Sequence, residues 1–341
     1  MAEQTVAISV KGQWASVPCL EVNGKKIIVR GKRMRLAVVH DEQWLESELE
    51  NPELCIKMLK NQGPQGLRAD IFTFAQMLPA TQPKYRYHME WESLATVRTS
   101  SFKEWWESLP QEARKNVRRA QKRGVVITVK KFDDDLIRGI ARVNNESPFR
   151  QGVPNYHYGK SLDQVRIDLC PLVDRSDFIC AYFEDELIGF IKLVYRGQSA
   201  SILHLAAMAC HNDKRPANAL LAKAVELCEA KGMTHLVYGK FNYGNKRESP
   251  LRQFKERNGF EEVLVPKFYV PLTTRGKLYI KMGLHRGLLG TLPLGVITLA
   301  LGARTRWYNF KRPLSRCSSM PERPNRTRQT ERSNPPAGSN A

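Results

Sequence analysis

The chain has 341 residues, enough for one large domain or two smaller ones with a sizeable core. Its net charge of +20 favours contact with nucleic acid, anionic lipid or phosphorylated molecules, and 42% hydrophobic residues exclude a chain that is disordered throughout. The seven cysteines are scattered without a metal-like cluster, and the N-terminus has no apolar run. We therefore expect reduced thiols, a cytoplasmic location, no secretory signal and no metal cofactor.

The first 97 residues are predicted to form a small β-rich unit. Residues 6–10 and 26–29 are predicted strands, and the Asn23-Gly24 pair between them is a strong hairpin signal. Residues 42–60 are expected to be helical, with an interruption near Asn51-Pro52. Two further strands are expected at 70–74 and 85–89. On sequence alone, this unit is compatible with an unrelated cap domain.

A long helix is predicted over residues 101–123, between a serine N-cap and Gly124. Its apolar side chains, among them Trp105 and Leu109, fall on one face at helical spacing. Two interpretations of its basic last turns stay open. The charges form a solvated face suited to a helix C-terminus, or they face a phosphate-bearing partner, because like charges this dense repel without an anion. These basic residues are Arg114, Lys115, Arg118, Arg119, Lys122 and Arg123.

The second part of the chain alternates helices and strands. A helix over residues 133–146 precedes a polar, aromatic loop over 147–160, and such loops often carry sites. Strands at 187–194 and 201–208 are followed by an amphipathic helix at 214–230. A strand at 234–238, a helix at 250–257 and a strand at 268–272 complete the pattern. The helix that starts after a buried strand offers free backbone N–H groups, which suits an anionic cofactor.

The C-terminal segment changes character. Residues 288–303 have no charged side chain, contain several glycines and a proline, and are flanked by basic residues. The stretch is shorter than the ~20 apolar residues of a membrane span. We weigh peripheral contact with an anionic bilayer, with Trp307 near the interface, equally against a helical hairpin packed on the domain; a true span ranks third. Residues 275–312 form this apolar and basic segment, and 313–341 are expected to be disordered.

The order of elements from residue 186 to 272 resembles the second half of the GNAT fold of acyl-CoA N-acyltransferases. The segment Trp105-x3-Leu109-x4-Arg114-x3-Arg118, continuing to Gly124, resembles Fem-type aminoacyltransferases and related acyltransferases of polysaccharide gene clusters. The resemblance covers roughly residues 85–272. It implies an α/β fold with a GNAT-like mixed sheet and flanking helices, in tandem with a reduced N-terminal half. The acyltransferase domain would then span 98–274, after a reduced half at 1–97.

The turn before the 214–230 helix is the expected donor site. In acyl-CoA enzymes of this fold it usually reads Gln/Arg-x-x-Gly-x-Gly/Ala. Here Lys214 stands at the first position, Ala217 replaces the first Gly and Ala219 matches the last, while Pro216 removes one N–H. A basic helix start can still hold phosphate through point charges. The alternative is ordinary helix capping with surface charge. The expected donor-binding residues here are Lys214, Arg215, Ala217, Asn218 and Ala219.

Acyl transfer to an amine needs a base that takes a proton from the amine. Glu146 sits at a helix end beside the polar loop, although surface carboxylates are common. His157 lies between two tyrosines and is either a general base near neutral pH or an aromatic loop anchor. His204, central in an apolar strand, is more simply a hydrogen-bonded core histidine. The resemblance nevertheless places that strand at the acyl wedge, so His204 stays a candidate.

The resemblance also implies that Tyr243 protonates the leaving thiolate and that Asn242 and Asn245 line the wedge with the cofactor. An Asn- and Gly-rich turn needs no function, which is the simpler alternative. The polar loop supplies the expected acceptor contacts, through groups that bind a sugar hydroxyl or a phosphate. These substrate-binding candidates are Arg150, Gln151, Tyr158 and Lys160.

These features predict an N-acyltransferase in which the amine attacks directly, because no activated nucleophile, Walker sequence, zinc spacing or G-x-S-x-G elbow is present. The expected donor is acyl-CoA, and the acceptor is an amine of a cell-envelope sugar, lipid-linked sugar or peptide. Two alternatives stay open. One is a Fem-like enzyme using aminoacyl-tRNA, and the other is a non-enzymatic module that binds nucleic acid or an anionic membrane. A peripheral position at the inner face of the cell membrane is expected, and the oligomeric state is open.

Overall fold

The structure, a computed structural model, describes residues 5–10, 13–61, 67–150, 153–242 and 249–286. Within them, twelve strands form one mixed sheet in the order β1-β2-β3-β4-β5-β14-β6-β13-β12-β11-β10-β7, and β8 and β9 form a short ribbon. The strands are β1 (Thr5–Val10), β2 (Gln13–Val22), β3 (Lys25–Arg30), β4 (Leu36–Val39), β5 (Ile71–Ala75), β6 (His88–Arg98), β7 (Val126–Lys130), β8 (Phe149–Arg150), β9 (Val153–Pro154), β10 (Ser176–Phe183), β11 (Glu186–Arg196), β12 (Ser199–Ala207), β13 (His235–Lys240) and β14 (Glu261–Pro271).

Helices lie against this sheet, so the predicted α/β fold with a mixed sheet and flanking helices is confirmed. The helix predicted over 250–257 has those bounds in the structure. The helices are α1 (Pro52–Asn61), α2 (Phe102–Ser108), α3 (Gln111–Lys122), α4 (Asp134–Asn145), α5 (Leu162–Leu169), α6 (Pro216–Ala230), α7 (Pro250–Arg257) and α8 (Thr274–Lys281).

The same strand pattern occurs twice. In the N-terminal part β2, β3 and β4 are antiparallel neighbours, and β4 then pairs in parallel with β5. In the C-terminal part β10, β11 and β12 are antiparallel, and β12 pairs in parallel with β13. The helices α1 and α6 connect the two parallel pairs. Because such crossovers are right-handed, both helices lie on one face of the sheet.

Strands β6 and β14 join the two parts into one sheet. β14 pairs with β5 on one side and with β6 on the other, and β6 also pairs with β13. The predicted division at residue 97 therefore falls at the end of a strand that pairs with the C-terminal part. The division itself stays a prediction.

The helix predicted over residues 101–123 is two helices, because Pro110 lacks an N–H and disfavours a helical conformation in the residue before it. Leu109 is accordingly extended, with φ −64° and ψ 143°. Trp105 of α2 is buried and donates its indole N–H to the backbone oxygen of Asn258 at 3.3 Å. A Cβ at Gly259 would lie 2.9 Å from that indole nitrogen, so the turn after α7 needs glycine.

Other local predictions differ from the structure. The helix predicted over 42–60 forms only in part, as a 3-10 helix, Glu42–Trp44, and α1; the predicted interruption near Asn51-Pro52 is confirmed, because Pro52 starts a new helix. The strand predicted over 85–89 begins only at His88. The Asn23-Gly24 turn is confirmed, with positive φ at both residues, but it joins β3 to β2 and not to the strand predicted over 6–10. Strands β2, β4, β7, β8, β9 and β10 were not predicted.

The apolar stretch 288–303, its flanks up to residue 312 and the tail 313–341 lie outside the described residues. Within the part of the chain that the structure describes, no helix combines the length and the apolarity needed to cross a membrane. The membrane predictions for the C-terminal segment therefore stay predictions.

Candidate active site

Strands β12 and β13 separate after a short parallel contact. Their pairing covers only Ser199–Ser201 and His235–Val237. Beyond that contact β12 runs on to Ala207 and β13 to Lys240. Neighbouring strands that stop pairing leave backbone groups free to meet a ligand. The sheet therefore opens between the later halves of these two strands.

A β-bulge lies beside this opening. Strand β11 pairs with Ile202 and His204 of β12, so Leu203 between them has no ladder partner among the described strands. Bulges re-aim side chains, and this one places Ser201 and His204 on the same face of the sheet. Their partners in β11, Val194 and Lys192, are two residues apart and so share that face.

A cavity of about 580 Å³ lies at the start of the opening, and Ser201, Ile202 and Leu203 line it. Thr73 and Ala75 of β5 also line it, whereas the alternating phenylalanines of β5 belong to the core around α1. The cavity is therefore on the sheet face opposite α1. Its wall contains both signs of charge, which suits a polar ligand. The charged lining residues are Arg30, Asp41, Glu42, Glu92, Arg196, Lys240 and Lys267.

Glu42 holds a carboxyl group in the wall of this cavity. Its Oε1 accepts a hydrogen bond from the backbone N–H of Ala75 at 2.7 Å. Burial raises the pKa of Glu42 from 4.5 to about 7, against the lowering effects of the Ala75 N–H and of Lys267. A carboxyl group with this pKa gains and loses a proton near neutral pH, which suits a general base.

Glu92 lies in the same wall but stays ionised. Burial would raise its pKa, but Lys267 and Lys240 lower it below the usual value. Lys240 Nζ lies 2.9 Å from Glu92 Oε1, and Lys267 Nζ lies 4.0 Å from the same atom. The cavity thus holds two carboxyl groups whose surroundings move their pKa values in opposite directions, as acid and base roles require.

Two of the predicted bases, His157 and His204, meet in a second, smaller pocket. Their rings form an edge-to-face pair with centroids 5.4 Å apart. The pocket has a volume of about 60 Å³, and Arg150, Asn144 and Asp168 also line it. Because His204 shares its sheet face with Ser201, this pocket and the large cavity lie on the same side of the sheet.

Both imidazoles of this pocket are neutral at physiological pH. Burial, followed by the neighbouring His157, lowers the pKa of His204 to about 4. Burial, followed by Lys160, lowers the pKa of His157. A neutral imidazole offers one donor and one acceptor nitrogen, so the pair is able to orient a polar group without adding charge.

The other described candidates of the polar loop shape this pocket. Arg150 donates from Nη2 to the backbone oxygen of Val143 at 2.6 Å. Lys160 Nζ lies 2.5 Å from Asp168 Oδ2 and 3.7 Å from the centre of the Tyr156 ring. Tyr158 is exposed. Gln151 lies outside the described residues.

Glu146, also predicted as a base, is placed away from both cavities. Its Oε1 accepts a hydrogen bond from the backbone N–H of Cys210 at 2.8 Å. It therefore ties the end of α4 to the 3-10 helix Ala209–Lys214 that precedes α6. This hydrogen bond gives the Glu146 carboxylate a structural role. A catalytic role for Glu146 stays a prediction.

The expected donor site lies at the start of α6. Some of its charged side chains already contact neighbouring residues. Lys214 packs its ammonium 4.4 Å from the centre of the Phe183 ring and lies 3.6 Å from Asp213. Arg123, the residue directly after α3, also pairs with Asp213, at 2.6 Å. Arg215 has a left-handed backbone, φ 58°, and is exposed. Of the two predicted phosphate-binding cations, Arg215 is therefore the more accessible.

The remaining donor-site candidates do not share one site, because they lie in separate surroundings. Asn218 donates from Nδ2 to Asn258 Oδ1 at 2.8 Å, which links α6 to the turn after α7. Ala217 is half-buried beside it, and Ala219 lines a separate groove between α3 and α6. Asn242 accepts from Arg252 and donates to Glu262. Tyr243 and Asn245 lie outside the described residues.

Among the described residues, one group brings three possible metal ligands together: His88, Glu90 and His285. His285 Nε2 lies 2.7 Å from Glu90 Oε1, and Arg286 donates from Nε to the same oxygen at 2.7 Å. The Arg286 charge favours an ion pair over a bound cation at this carboxylate. The sequence prediction of no metal cofactor stays a prediction.

Sequence reasoning missed the residues that line the large cavity. Glu42, Glu92 and Arg196 come from three distant parts of the chain, and none belongs to a recognisable motif. One signal in the sequence was Lys267, because a lysine within an apolar strand needs a partner for its charge. Spacing alone does not show that these segments meet.

No protein-family model matches the sequence, and no curated protein matches it. Solved structures do match. FemX superposes with a TM-score of 0.53 at 10% identity, over 82% of this chain and 90% of FemX. The C-terminal domain of a protein from Agrobacterium fabrum, described as a lysylphosphatidylglycerol synthetase, gives 0.52 at 13% identity, over 80% and 89%. The chain has a Fem-like GNAT fold.

An N-acetyltransferase from Thermoplasma acidophilum in complex with coenzyme A matches 42% of this chain and 98% of its own length, with a TM-score of 0.31 at 19% identity. The predicted GNAT and Fem-like resemblance is confirmed as a fold. At these identities the likeness concerns architecture, and the chemistry has to be argued from this chain's own residues.

Proposed function

We propose that this protein is an N-acyltransferase that joins an acyl group to an amine where β12 and β13 separate. The observation that carries the proposal is the opening after the short β12–β13 contact, where Leu203, which has no ladder partner among the described strands, lines a cavity that also holds the Glu42 carboxyl group. A backbone N–H at such an opening would be a suitable donor to a developing oxyanion. A half-buried carboxyl group with a pKa of about 7 is a suitable base.

In the proposed reaction, the amine nitrogen attacks the carbonyl carbon of an acyl ester, and the new C–N bond replaces the C–O bond. Glu42 takes one proton from the attacking amine, and that proton passes to the leaving oxygen. The Leu203 N–H donates to the carbonyl oxygen as negative charge develops there. The products are an amide and an alcohol, and Glu42 is restored.

The acyl group would occupy the pocket of His157 and His204. The pocket lies on the same sheet face as the cavity, and its volume of about 60 Å³ suits a short group rather than a lipid tail. The neutral imidazoles would orient polar atoms of that group by hydrogen bonds. The two histidines thus act as positioning residues in this proposal, with Glu42 as the base.

We infer that the donor is an aminoacyl-tRNA. Two N–H groups of the turn before α6, those of His211 and Arg215, already donate to backbone oxygens, and Pro216 has none. Cys210 donates its own N–H to Glu146. Fewer donors therefore remain to cradle a CoA pyrophosphate.

The exposed basic face of α3 supports the same donor. Lys115 and Lys122 are exposed and Arg119 is half-exposed, at helical spacing on one side of α3. Arg123 at the end of this helix reaches the turn before α6 through Asp213. A row of cations leading to the donor site suits the phosphates of an RNA, and the net charge of +20 adds attraction.

Acyl-CoA is the second candidate donor. The start of the 15-residue helix α6, with the exposed Arg215 beside it, supports binding of a single pyrophosphate. With CoA the leaving atom would be sulfur, and a C–S bond would break in place of C–O. We place the acceptor amine on a cell-envelope sugar, lipid-linked sugar or peptide, at a membrane surface that the basic chain would approach.

The proposed function is tested by measuring the amine-dependent loss of the acyl group from the donor. The protein would be incubated with mixed labelled aminoacyl-tRNAs, or with acetyl-CoA, in the presence and absence of amines. We expect amine-dependent loss of the aminoacyl-tRNA label, and loss of the CoA thioester would instead favour the second donor. Tight RNA or vesicle binding with no amine-dependent discharge of either donor would support a non-enzymatic binding module and contradict the proposal.

A further inference from the structure

Two buried polar groups in the wall of the large cavity have no hydrogen-bond partner. Arg196 is 8% exposed and its Nε is unpartnered, and Thr73 is 3% exposed with an unpartnered Oγ1. Both residues line the cavity. A buried polar group without a partner destabilises the fold, so two in one cavity wall indicate a polar ligand that satisfies them.

The Arg196 guanidinium presents one edge to such a ligand. Its Nη1 donates to the backbone oxygen of Gln43 at 2.6 Å, which fixes the plane of the group. The Nε–H and the parallel Nη2–H form the opposite edge. Two parallel N–H groups match the two oxygens of a carboxylate, and a buried guanidinium gains most from that pairing.

The same cavity also holds groups that suit an amine. Glu42 and Glu92 line it, and Arg196 is close enough to Glu42 to influence its charge. Glu92 is an ionised carboxylate shared with Lys240 and Lys267. One molecule that carries an ammonium group and a carboxylate a few bonds apart would therefore satisfy both kinds of group in the cavity wall.

We propose that the acceptor is an amino acid or short peptide with a free carboxylate, held by Arg196 and Thr73 while its amine faces Glu42. This inference rests on the proposed acyl transfer and narrows its acceptor. Sugar amines and neutral amines would fill the cavity without satisfying Arg196. The acceptor carboxylate would set the distance between Arg196 and the attacking nitrogen, so short peptides should differ in turnover.

Binding of three matched probes tests the inference without turnover. The probes are glycylglycine, glycylglycinamide, which lacks the carboxylate, and N-acetylglycylglycine, which lacks the amine. Titration calorimetry at pH 8 should show glycylglycine binding at least tenfold more tightly than either blocked compound. Equal affinity for glycylglycinamide, or no measurable binding of glycylglycine at millimolar concentration, would overturn the proposal. Tighter binding of O-phosphoethanolamine would overturn it in favour of a phosphate-bearing acceptor.

A substitution of Arg196 tests whether this residue binds the carboxylate of glycylglycine. Arg196→Gln should lower glycylglycine affinity to that of the amide, while Lys57→Gln, on the exposed side of α1, removes the same charge and should change nothing. Thr73→Val, which keeps the size of the side chain, should weaken binding severalfold and serves if Arg196→Gln does not fold. Unchanged discrimination in folded Arg196→Gln would contradict the assignment. Failure of acyl transfer with these probe results intact would instead count against the proposed reaction alone.

Discussion

The imidazole rings of His157 and His204 form an edge-to-face pair with centroids 5.4 Å apart, although they lie 47 positions apart in the sequence. The pair exists because the bulge at Leu203 turns His204 toward the loop after α4. It joins β12, the strand that carries the proposed oxyanion donor, to a loop predicted to bind substrate. Substitutions in the pocket between the two histidines therefore test the proposed acyl-group site directly.

His204→Gln should lower kcat/KM for the donor by roughly tenfold to a hundredfold, which corresponds to about 1.4–2.7 kcal/mol. Glutamine keeps a donor and an acceptor but not the ring contact with His157. Because the pKa of His204 is about 4, the loss should be the same from pH 6 to pH 9. His235→Gln, another half-buried histidine on β13, is the matched control. A loss that appears only at low pH would contradict the positioning role.

Glu42→Gln should make the protein more stable at high pH. Burial raises the pKa of Glu42 from 4.5 to about 7, so the folded state holds a proton that the unfolded chain releases between those values. Its contribution to stability is present below pH 4.5 and is lost as pH rises through about 7. The variant should match the wild type near pH 4 and exceed it by about 1–3 kcal/mol at pH 8.

Urea unfolding at the two pH values measures this difference. The same variant should abolish most turnover, because the amide cannot take a proton from the amine. Glu46→Gln, an exposed carboxylate on the neighbouring loop, is the control. A variant that retains wild-type turnover across pH 6–9 would remove Glu42 from the mechanism, whatever its stability.

Much of the C-terminal fold follows from local sequence. The start and end of α7 were predicted because Pro250 begins the helix and Asn258-Gly259 ends it. The positions of β12 and α6 follow from apolar periodicity. The break at Pro110 was missed because the apolar spacing continues across it. Apolar spacing does not show that proline lacks the backbone N–H that a continuous helix needs.

The cavity could not be predicted in the same way. Glu42 and Arg196 meet only because β14 joins the two halves of the sheet, and local periodicity carries no information about that pairing. The pairing of His157 with His204 depends on the Leu203 bulge, which no residue pattern signalled. Candidate residues in one loop or one turn were therefore accessible from sequence, and residues joined by tertiary contacts were not.

Donor binding should depend on salt through the basic face of α3. The triple change Lys115→Glu, Arg119→Glu and Lys122→Glu should weaken tRNA binding by at least tenfold and reduce the slope of log K against log salt. Arg215→Glu alone should weaken it severalfold, because one phosphate contact is lost. The control is Lys57→Glu on α1. Filter binding at several salt concentrations measures both effects, and an unchanged slope in the triple variant would place the RNA elsewhere.

Membrane contact should depend on the segment after Arg286. A chain that ends at Arg286 keeps the contact of His285 with Glu90 and so should retain the described fold. We expect it to lose binding to anionic vesicles, since residues 288–303 and their basic flanks are removed. Vesicle sedimentation of the full and shortened chains measures this. Equal sedimentation would place the membrane contact within residues 1–286.

The central claim is that an amine is acylated at the opening between β12 and β13, and mass spectrometry of the product tests it most directly. The full-length protein would be incubated with mixed aminoacyl-tRNAs and glycylglycine, and the peptide fraction analysed after RNA removal. The account predicts a new amide, stable to hydroxylamine, whose mass equals glycylglycine plus one aminoacyl group. It should be absent with Glu42→Gln and present with Glu46→Gln. An ester product, or an amide formed equally by Glu42→Gln, would contradict the account.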